Sequence, residues 1–496
     1  MGNCASSDHS HVSHERAFPM WVVKVSDVMA MSGVPQPHEA LRASGLLVKH
    51  RIFPASKSVY SSGSMSLHSD LVTQFLKGNR KMVRAEREQR GYLWLDWFSV
   101  PQDPGSEPGR RLAVHSIPSY VDVCGAFVAL VPGLPHHDSG SLCDYETWLE
   151  RGWCRCELWC SQLSNHSHLP MIAVYGPDHA EFVMPKDWVF ASADEGEFTQ
   201  EEDRLAIMDI VHFALQARVS FLDKHQEEPG LCRFLKGIFA KKFGQASSWT
   251  LDSFLSYFGF PNLQTAVKMR DMGGLHCAAI LDEPSLIRSL VEAKASVGAK
   301  CKSILSMDIL NYVPLILAIQ LNNLAAARGL LMLRADPNCT FAPCNPVLGL
   351  ARDAEAVDVL LEHRADVNLR MSYPKISPLA LACSKSGPVE VVARLLERGA
   401  DVNDSHGGHS KLLLDARADV NQPGCTTGLF QMLELVQLLR NRPLASLLLA
   451  AKADPDLPNS RGHSPRQMAS VEIQPLFDEP LALKADPEDP MVVESL

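Results

Sequence analysis

The chain has 496 residues, 46 % of them hydrophobic, with a formal net charge of −10. That length and apolar content are enough for several packed cores, about three at ~150 residues per domain. The acidic balance supplies no overall basic field for phosphate backbones, and no zinc-finger or helix-turn-helix pattern accompanies it, which excludes nucleic acid as a partner.

Thirteen cysteines run from Cys4 to Cys425 without the dense, even spacing of a secreted scaffold. With no signal peptide before them, they point to a reducing, cytosol-like compartment. The most apolar stretches, Tyr312–Ile319 and Leu444–Ala451, end well short of the ~18 residues that span a bilayer.

The chain opens Met1-Gly2-Asn3-Cys4-Ala5-Ser6, which fits the M-G-x-x-x-[ST] acceptor pattern for myristoylation of Gly2. One acyl chain holds a membrane only marginally, and Asp8, His9 and His11 provide no polybasic second signal, so Cys4 is the second anchor if palmitoylated. The alternative is a fortuitous match in an unstructured tail. Residues 1–40 read as this lipidated segment, tethered to the cytosolic face of a membrane. Its apolar stretch Trp21–Met29 has two readings, lying on the bilayer or packing on the next domain, and packing is expected.

From 41 to 240, short apolar runs at Leu46–Val48, Tyr92–Asp96, Ala126–Val131 and Met171–Tyr175 alternate with helical stretches, the pattern of an α/β domain with a flavodoxin-like parallel sheet. Ligands sit at the C-terminal strand ends of such sheets. Here that edge holds Asp96–Gln102 and Pro132-Gly133, which makes Asp96 and Gln102 cleft candidates. The basic run Lys77–Arg90 reads as a solvated helix face, with contact to anionic lipid as the alternative.

Trp148–Leu163 reads as a charged turn followed by a helix carrying Trp153 and Glu157. In the plain reading Glu157 is a first-turn glutamate, paired with Arg151 or Arg155 and favoured by the helix dipole. Cys154, Cys156 and Cys160, near His166 and His168, lack zinc-knuckle spacing and read as packed thiols rather than metal ligands. Signatures of nucleotide triphosphatases, dinucleotide oxidoreductases, zinc proteases and α/β-hydrolases are absent from the sequence.

The W-C-x-x-E-L run at Trp153–Leu158, following Ile117-Pro-Ser-Tyr120 and Phe127–Pro132, resembles the Toll/interleukin-1 receptor (TIR) domain over roughly 45–165. Trp94-Leu-Asp96 with Pro101-Gln102 is also similar to heterokaryon-incompatibility domains. The TIR resemblance implies NAD as substrate, with no resident cofactor. Glu157 would act on the ribose beside the nicotinamide, where a carboxylate stabilises an oxocarbenium-like transition state, and Trp153 would join the cleft. Where the family's first strand ends S-[YH]-R, this chain has Lys49-His50-Arg51.

Between 183 and 262, helical stretches at Glu201–Asp223 and Arg233–Lys242 complete this domain, with Gly196–Thr199 as a capping turn. Residues 241–269 read as a helical linker.

Downstream, one pattern recurs: Arg334-Ala-Asp336-Pro-Asn338, Arg364-Ala-Asp366-Val-Asn368, Gly399-Ala-Asp401-Val-Asn403, Arg417-Ala-Asp419-Val-Asn421 and Lys452-Ala-Asp454-Pro-Asp456. The aspartate spacings are 366 − 336 = 30, 401 − 366 = 35 and 454 − 419 = 35, with one short interval of 419 − 401 = 18. Amphipathic runs precede the copies, and Val313-Pro-Leu315, Asn345-Pro-Val347, Ser377-Pro-Leu379 and His463-Ser-Pro465 stand at helix-start positions.

This resembles the ankyrin repeat, whose period is about 33 residues. The array spans 270–475, beginning at Gly274-Leu-His276-Cys. The glycine that ends the second helix in a left-handed conformation survives at Gly399 alone, with Arg or Lys in the other copies, at about 1 kcal/mol each. Residues 476–496, Pro-rich and acidic, read as a disordered tail. Together these readings describe a membrane-tethered signalling scaffold holding a protein partner on its repeats. The alternative is an NAD-cleaving hydrolase using Glu157, with the repeats as regulator or targeting arm.

Overall fold

The computed structural model describes residues 18–31, 36–49, 59–62, 92–124, 126–135, 142–164, 171–176, 179–183, 188–244, 249–301, 312–341, 345–369, 377–384, 389–401 and short pieces between 445 and 478. They form two compact units that divide at Leu235/Lys236.

The first unit is built on a seven-stranded sheet. Its strands are β1 (Trp21–Lys24), β2 (Leu47–Lys49), β3 (Val59–Ser62), β4 (Tyr92–Leu95), β5 (Ala126–Leu130), β8 (Met171–Gly176) and β9 (His179–Val183), in the order β2-β1-β4-β3-β5-β8-β9. A separate two-stranded ribbon joins β6 (Leu134–Pro135) and β7 (Leu142–Cys143). The sequence pattern led to a parallel sheet, and the structure corrects this: β1, β2 and β9 pair antiparallel at the two edges. The run Leu46–Val48, expected among the parallel strands, instead supplies Leu47 and Val48 to the outermost antiparallel strand, β2. Only β4, β3, β5 and β8 are parallel.

Counted in chain order, these four lie 2-1-3-4, a doubly wound order whose direction of winding reverses between β3 and β5. Strand alternation explains why the sheet is buried on both faces. Trp21, Val23, Leu93, Leu95, Val128, Leu130, Ile172 and Val174 share one core with Val28, Leu41 and Phe98. The intervening Trp94 and Phe127 meet Tyr120 and Trp148 on the other face, with ring centroids 5.8 and 6.2 Å apart.

Helices α1 (Val25–Ala30) and α2 (His38–Ala43) therefore belong to this domain, together with β1. The expected boundary at 40/41 is displaced toward the N-terminus, because Trp21–Met29 supplies a sheet strand and core side chains rather than a membrane-facing segment. The Phe18 carbonyl accepts from the Tyr120 hydroxyl at 3.0 Å, so the order of the domain extends back to residue 18.

After β4 come α3 (Asp96–Ser99), α4 (Glu107–His115) and α5 (Ile117–Val121); α6 (Tyr145–Glu150) and α7 (Gly152–Leu163) lie between β5 and β8. Helix α8 (Asp203–His225) packs on α7. By length and composition α8 could cross a membrane, with a mean hydropathy of 1.5. Its buried apolar side chains, Ile207, Ile210, Val211, Ala214, Leu215 and Leu222, recur at helical spacing with the buried Arg218 among them, which marks a core-facing stripe.

The second unit is a stack of helical hairpins: α12 (Gly274–Leu281) with α13 (Pro284–Glu292), α14 (Pro314–Gln320) with α15 (Leu324–Met332), a 3-10 turn (Val347–Leu350) with α16 (Ala354–Glu362), and α17 (Pro378–Ser384) with α18 (Val389–Glu397). First helices pack on first helices and second on second along the stack.

Residues 241–269 are not a linker. Helix α9 (Pro229–Phe243), α10 (Leu251–Phe258) and α11 (Leu263–Lys268) precede the stack, with Lys236 onward belonging to the second unit. Phe254, Phe258 and Phe260 are buried together, and α11 packs on α12, which shields the open end of the first hairpin. Near the other end, α19 (Pro465–Met468) and α20 (Gln474–Asp478) are joined by Arg466, which donates to the Asp456 carboxylate and, at 2.7 Å, to the Phe477 carbonyl. Helix α20 runs through the expected boundary at 475/476.

Candidate functional site

The parallel strands bring Asp96 to the C-terminal end of β4 as the first residue of α3. Helix α7 returns the chain from β5 to β8, so its N-terminal half lies on that same edge. Glu157 is buried there at 3 % exposure. It occupies the second turn of α7, not the first, so the dipole favours it less than the sequence reading supposed. The neighbouring Arg155 guanidinium donates to the carbonyls of Leu149 and Ser192.

Burial, then the negative field of Glu157, pushes the Cys154 thiol up, and Asp96 acts on the same thiol. Asp96 and Glu157 thus share one neighbourhood around Cys154. The thiol stays protonated, which removes it as a nucleophile. Cys156 is likewise raised, by its hydrogen bond with Cys160 and then by burial. Among the described residues, no group of three or more His, Cys, Asp or Glu is arranged to hold a metal.

Trp153 and Gln102 have structural partners. The Trp153 indole N–H donates to Asp203 at 2.9 Å, fastening the start of α7 to the start of α8. The Gln102 side-chain amide donates to the Val100 carbonyl at 2.8 Å, while its backbone N–H donates to Glu39 at 2.7 Å. Arg110 donates to the Pro101 and Gln102 carbonyls, so the loop after α3 is held from both sides. Gly152, just ahead of Trp153, is required by close approach: a Cβ there would stand 2.1 Å from the Phe198 ring. The Gly152 N–H donates to the Glu197 carbonyl at 2.9 Å, so the 196–199 segment crosses the start of α7 instead of capping α8.

Gly2 and Cys4 lie outside the described residues, as do His166 and His168.

In the second unit the recurrent aspartates line up. The Asp336 carboxylate accepts the Asn338 N–H at 2.9 Å, and Asp366 accepts the Asn368 N–H in the same way. The Asn338 side chain accepts the N–H of Asp366 at 2.7 Å, one repeat later, and Asn368 accepts that of Asp401 at 2.8 Å. Each asparagine thereby ties its loop to the next. Asp419 and Asp454 fall outside the described residues.

The backbone is left-handed at Lys294, Arg334, Arg364 and Gly399, the position the sequence pattern marked. Deeper in the stack, Asn323 is 1 % exposed and donates to the Ala279 and Ile280 carbonyls of the preceding hairpin at 2.9 and 2.8 Å. His276, also 1 % exposed, donates to the Tyr312 carbonyl at 3.1 Å. Outer faces of the second helices carry a paired ladder, Arg328 to Glu355 and Glu362, then Asp358 to Arg394 and Arg398. Sequence inspection missed Asn323 and Arg328, because neither stands in the recurrent loop pattern.

A family profile of the ankyrin repeat matches residues 375–407. Among solved structures, the ankyrin repeat domain of Bcl-3, described as a unique member of the IkappaB protein family, is similar at 24 % identity and a TM-score of 0.34, over 43 % of this chain and 86 % of that one. No curated protein matches the chain. The chain therefore contains an ankyrin repeat, set in a stack of helical hairpins of the same kind.

Proposed function

We propose that this protein is a signalling scaffold that holds a protein partner on its ankyrin stack. The observation that carries this reading is the hydrogen-bonded run of loops at Asp336, Asp366 and Asp401. A regular edge of loop tips, fixed in register, is a surface for recognition and brings no chemistry of its own. On the outer helix faces Arg328 pairs with Glu355 and Glu362, and Asp358 with Arg394 and Arg398, so these charges are committed within the stack and the loop edge and inner helices are the surfaces proposed to select a partner. Affinity capture with the full chain and with a chain ending at residue 269 tests it. Proteins retained by the full chain alone are expected, and identical captured sets would sink the reading.

Tethering through acyl chains on Gly2 and Cys4 completes the proposal. It rests on the two-signal requirement for stable anchoring. Gly2→Ala or Cys4→Ser should move the protein from membrane to soluble fractions, and an unchanged distribution for both variants removes the tether.

A second reading is a TIR-like NAD-cleaving hydrolase. What favours it is placement: Asp96 opens α3 at the C-terminal end of β4, and the buried Glu157 stands in the N-terminal half of α7 at the same edge of the parallel strands. Purified protein incubated with NAD should release nicotinamide, with the Glu157→Ala variant inactive. No release, or equal release from both, eliminates this reading.

A further inference from the structure

Three elements at one margin of the sheet sort their charges. Among the described residues β2 is the outermost strand on that side, β1 lies next to it, and α2 packs on β2. Between them these elements carry Lys24, Arg42 and Lys49, all exposed, against a single acid, Glu39. Glu39 is turned into the fold: Oε1 accepts the N–H groups of Gln102 and Asp103 at 2.7 and 3.0 Å, and Oε2 is buried. His38 is 1 % exposed, and its Nδ1–H donates to the Phe98 carbonyl at 2.9 Å. The bases face outward and the acid does not.

Arg42 and Lys49, one from a helix and one from a strand, converge on a single ring. The Trp21 indole carries the Arg42 guanidinium at 5.0 Å and the Lys49 ammonium at 5.3 Å from its centroid. Neither cation has a carboxylate partner among the described residues. A cation–π contact positions a charge without neutralising it. Val48, 38 % exposed, adds an apolar side chain to the same outermost strand. The fold thus assembles a basic margin on a protein whose net charge is −10.

The acyl sites proposed at Gly2 and Cys4 lie close to this margin along the chain. From Cys4 to Trp21 is 21 − 4 = 17 residues, a span of at most roughly 60 Å at ~3.5 Å per residue. A chain held by its N-terminus therefore keeps the margin within reach of the bilayer, where even a weak second contact adds to the first. We propose that the Arg42–Lys49 margin docks on the anionic surface of the membrane that the acyl chains enter, the two cations meeting the negative groups of the lipid heads. This rests on the tether reading. It supplies, in folded form, the basic second signal that Asp8, His9 and His11 do not provide. The acidic remainder of the chain favours the same orientation, since a membrane of like sign repels it.

Co-sedimentation of the full chain, myristoylated at Gly2, with two kinds of vesicle tests the proposal: phosphatidylcholine alone, and phosphatidylcholine with an equal part of phosphatidylserine. The acyl chain enters both, so the neutral vesicles read the tether by itself. Phosphatidylserine should strengthen binding, and high salt should erase the gain, because exposed charges are screened. Arg42→Gln and Lys49→Gln should each weaken binding to the anionic vesicles about fivefold, and the double variant about 25-fold, with binding to neutral vesicles unchanged. Lys49→Arg keeps the charge and should bind as the unaltered chain does. Both positions are exposed, and circular dichroism checks that each variant is folded. Binding to neutral vesicles with no gain from phosphatidylserine, or a gain that the double variant keeps, overturns the docking margin and leaves the tether standing. A chain that binds neither vesicle overturns both.

Discussion

The sheet of residues 21–183 and the hairpin stack of 274–400 bury apolar surface in opposite ways. In the centre of the sheet, neighbours in space are out of chain order: β1 pairs with β4, and β3, which precedes β4 in the chain, lies between β4 and β5. No strand is buried until the others are present. In the stack each hairpin touches the next one along the chain, and its core residues, such as Leu290, Leu330, Leu360 and Leu395, occupy equivalent places in successive second helices. The sheet should therefore respond to damage as one body and the stack repeat by repeat.

The largest expected effect tests that difference directly. Phe127 and Leu360 are both fully buried. Phe127→Ala and Leu360→Ala should cost about 3–5 and 2–5 kcal/mol respectively. Hydrogen exchange should show Phe127→Ala lowering protection in β1, β4, β5 and β8 together. Leu360→Ala should lower it in α16 to α18 and leave α12 and α13 protected. Uniform loss over 274–400 would mean the stack is a single cooperative block.

Next in size is a pH effect confined to the stack. Burial, only partly opposed by hydrogen bonds to the backbone at Tyr312 and Ala299, depresses the His276 pKa from 6.5 to about 4. Between those values the unfolded chain binds a proton that the folded chain refuses. His276 thus contributes no pH dependence above 6.5, and stability falls as pH drops from 6.5 toward 4, by about 3 kcal/mol in total. Urea titrations across this window should give a slope that His276→Gln removes. An equal slope in both proteins would place its origin elsewhere.

The same contrast explains what could be read from sequence. The stack was legible because its contacts are local and repeated. Asp336, Asp366 and Asp401 sit at constant distance from their helices, so spacing alone located the loops, and Lys294, Arg334 and Arg364 were identifiable as left-handed by analogy with Gly399. The sheet was legible only as alternating strands and helices. Strand direction is decided by pairing partners, and nothing local in Leu47–Lys49 says that it pairs antiparallel with Trp21–Lys24. Packing of Trp21–Met29 on this domain is expected from the sequence, but its place as a strand inside the domain, ahead of the boundary at 40/41, is not, because nothing local names its partners β2 and β4. Asp96 and Glu157 were picked out by position and motif. His38 and Glu39 gave no signal, because the groups that fix them, at Phe98, Gln102 and Asp103, lie about 60 residues away and belong to another element.

A smaller effect probes the ties between repeats. The Asn338 and Asn368 side chains each accept an N–H from the following loop. At these exposed positions water replaces a lost bond, so Asn338→Ala and Asn368→Ala should each cost about 0.5–1.5 kcal/mol. The double variant should lose the sum if the two steps are independent. Chemical denaturation of the four proteins measures this, and a coupling well above about 0.5 kcal/mol would show that the loop edge acts as one unit.

The smallest expected change runs in the opposite direction. Arg334 and Arg364 hold φ angles of 67° and 70°, where a side chain crowds its own backbone, while Gly399 takes 89° without that strain. Replacing either arginine by glycine relieves the strain but loosens the unfolded chain, so the net gain should be under about 1 kcal/mol per site. The gain should appear as a higher denaturation midpoint with an unchanged denaturant slope. It should be confined to the repeat unit, since the described left-handed residues at hairpin ends belong to the stack and not to the sheet. If Arg334→Gly instead destabilised the protein, the aliphatic stem of the arginine would be contributing more to packing between neighbouring hairpins than its backbone conformation costs.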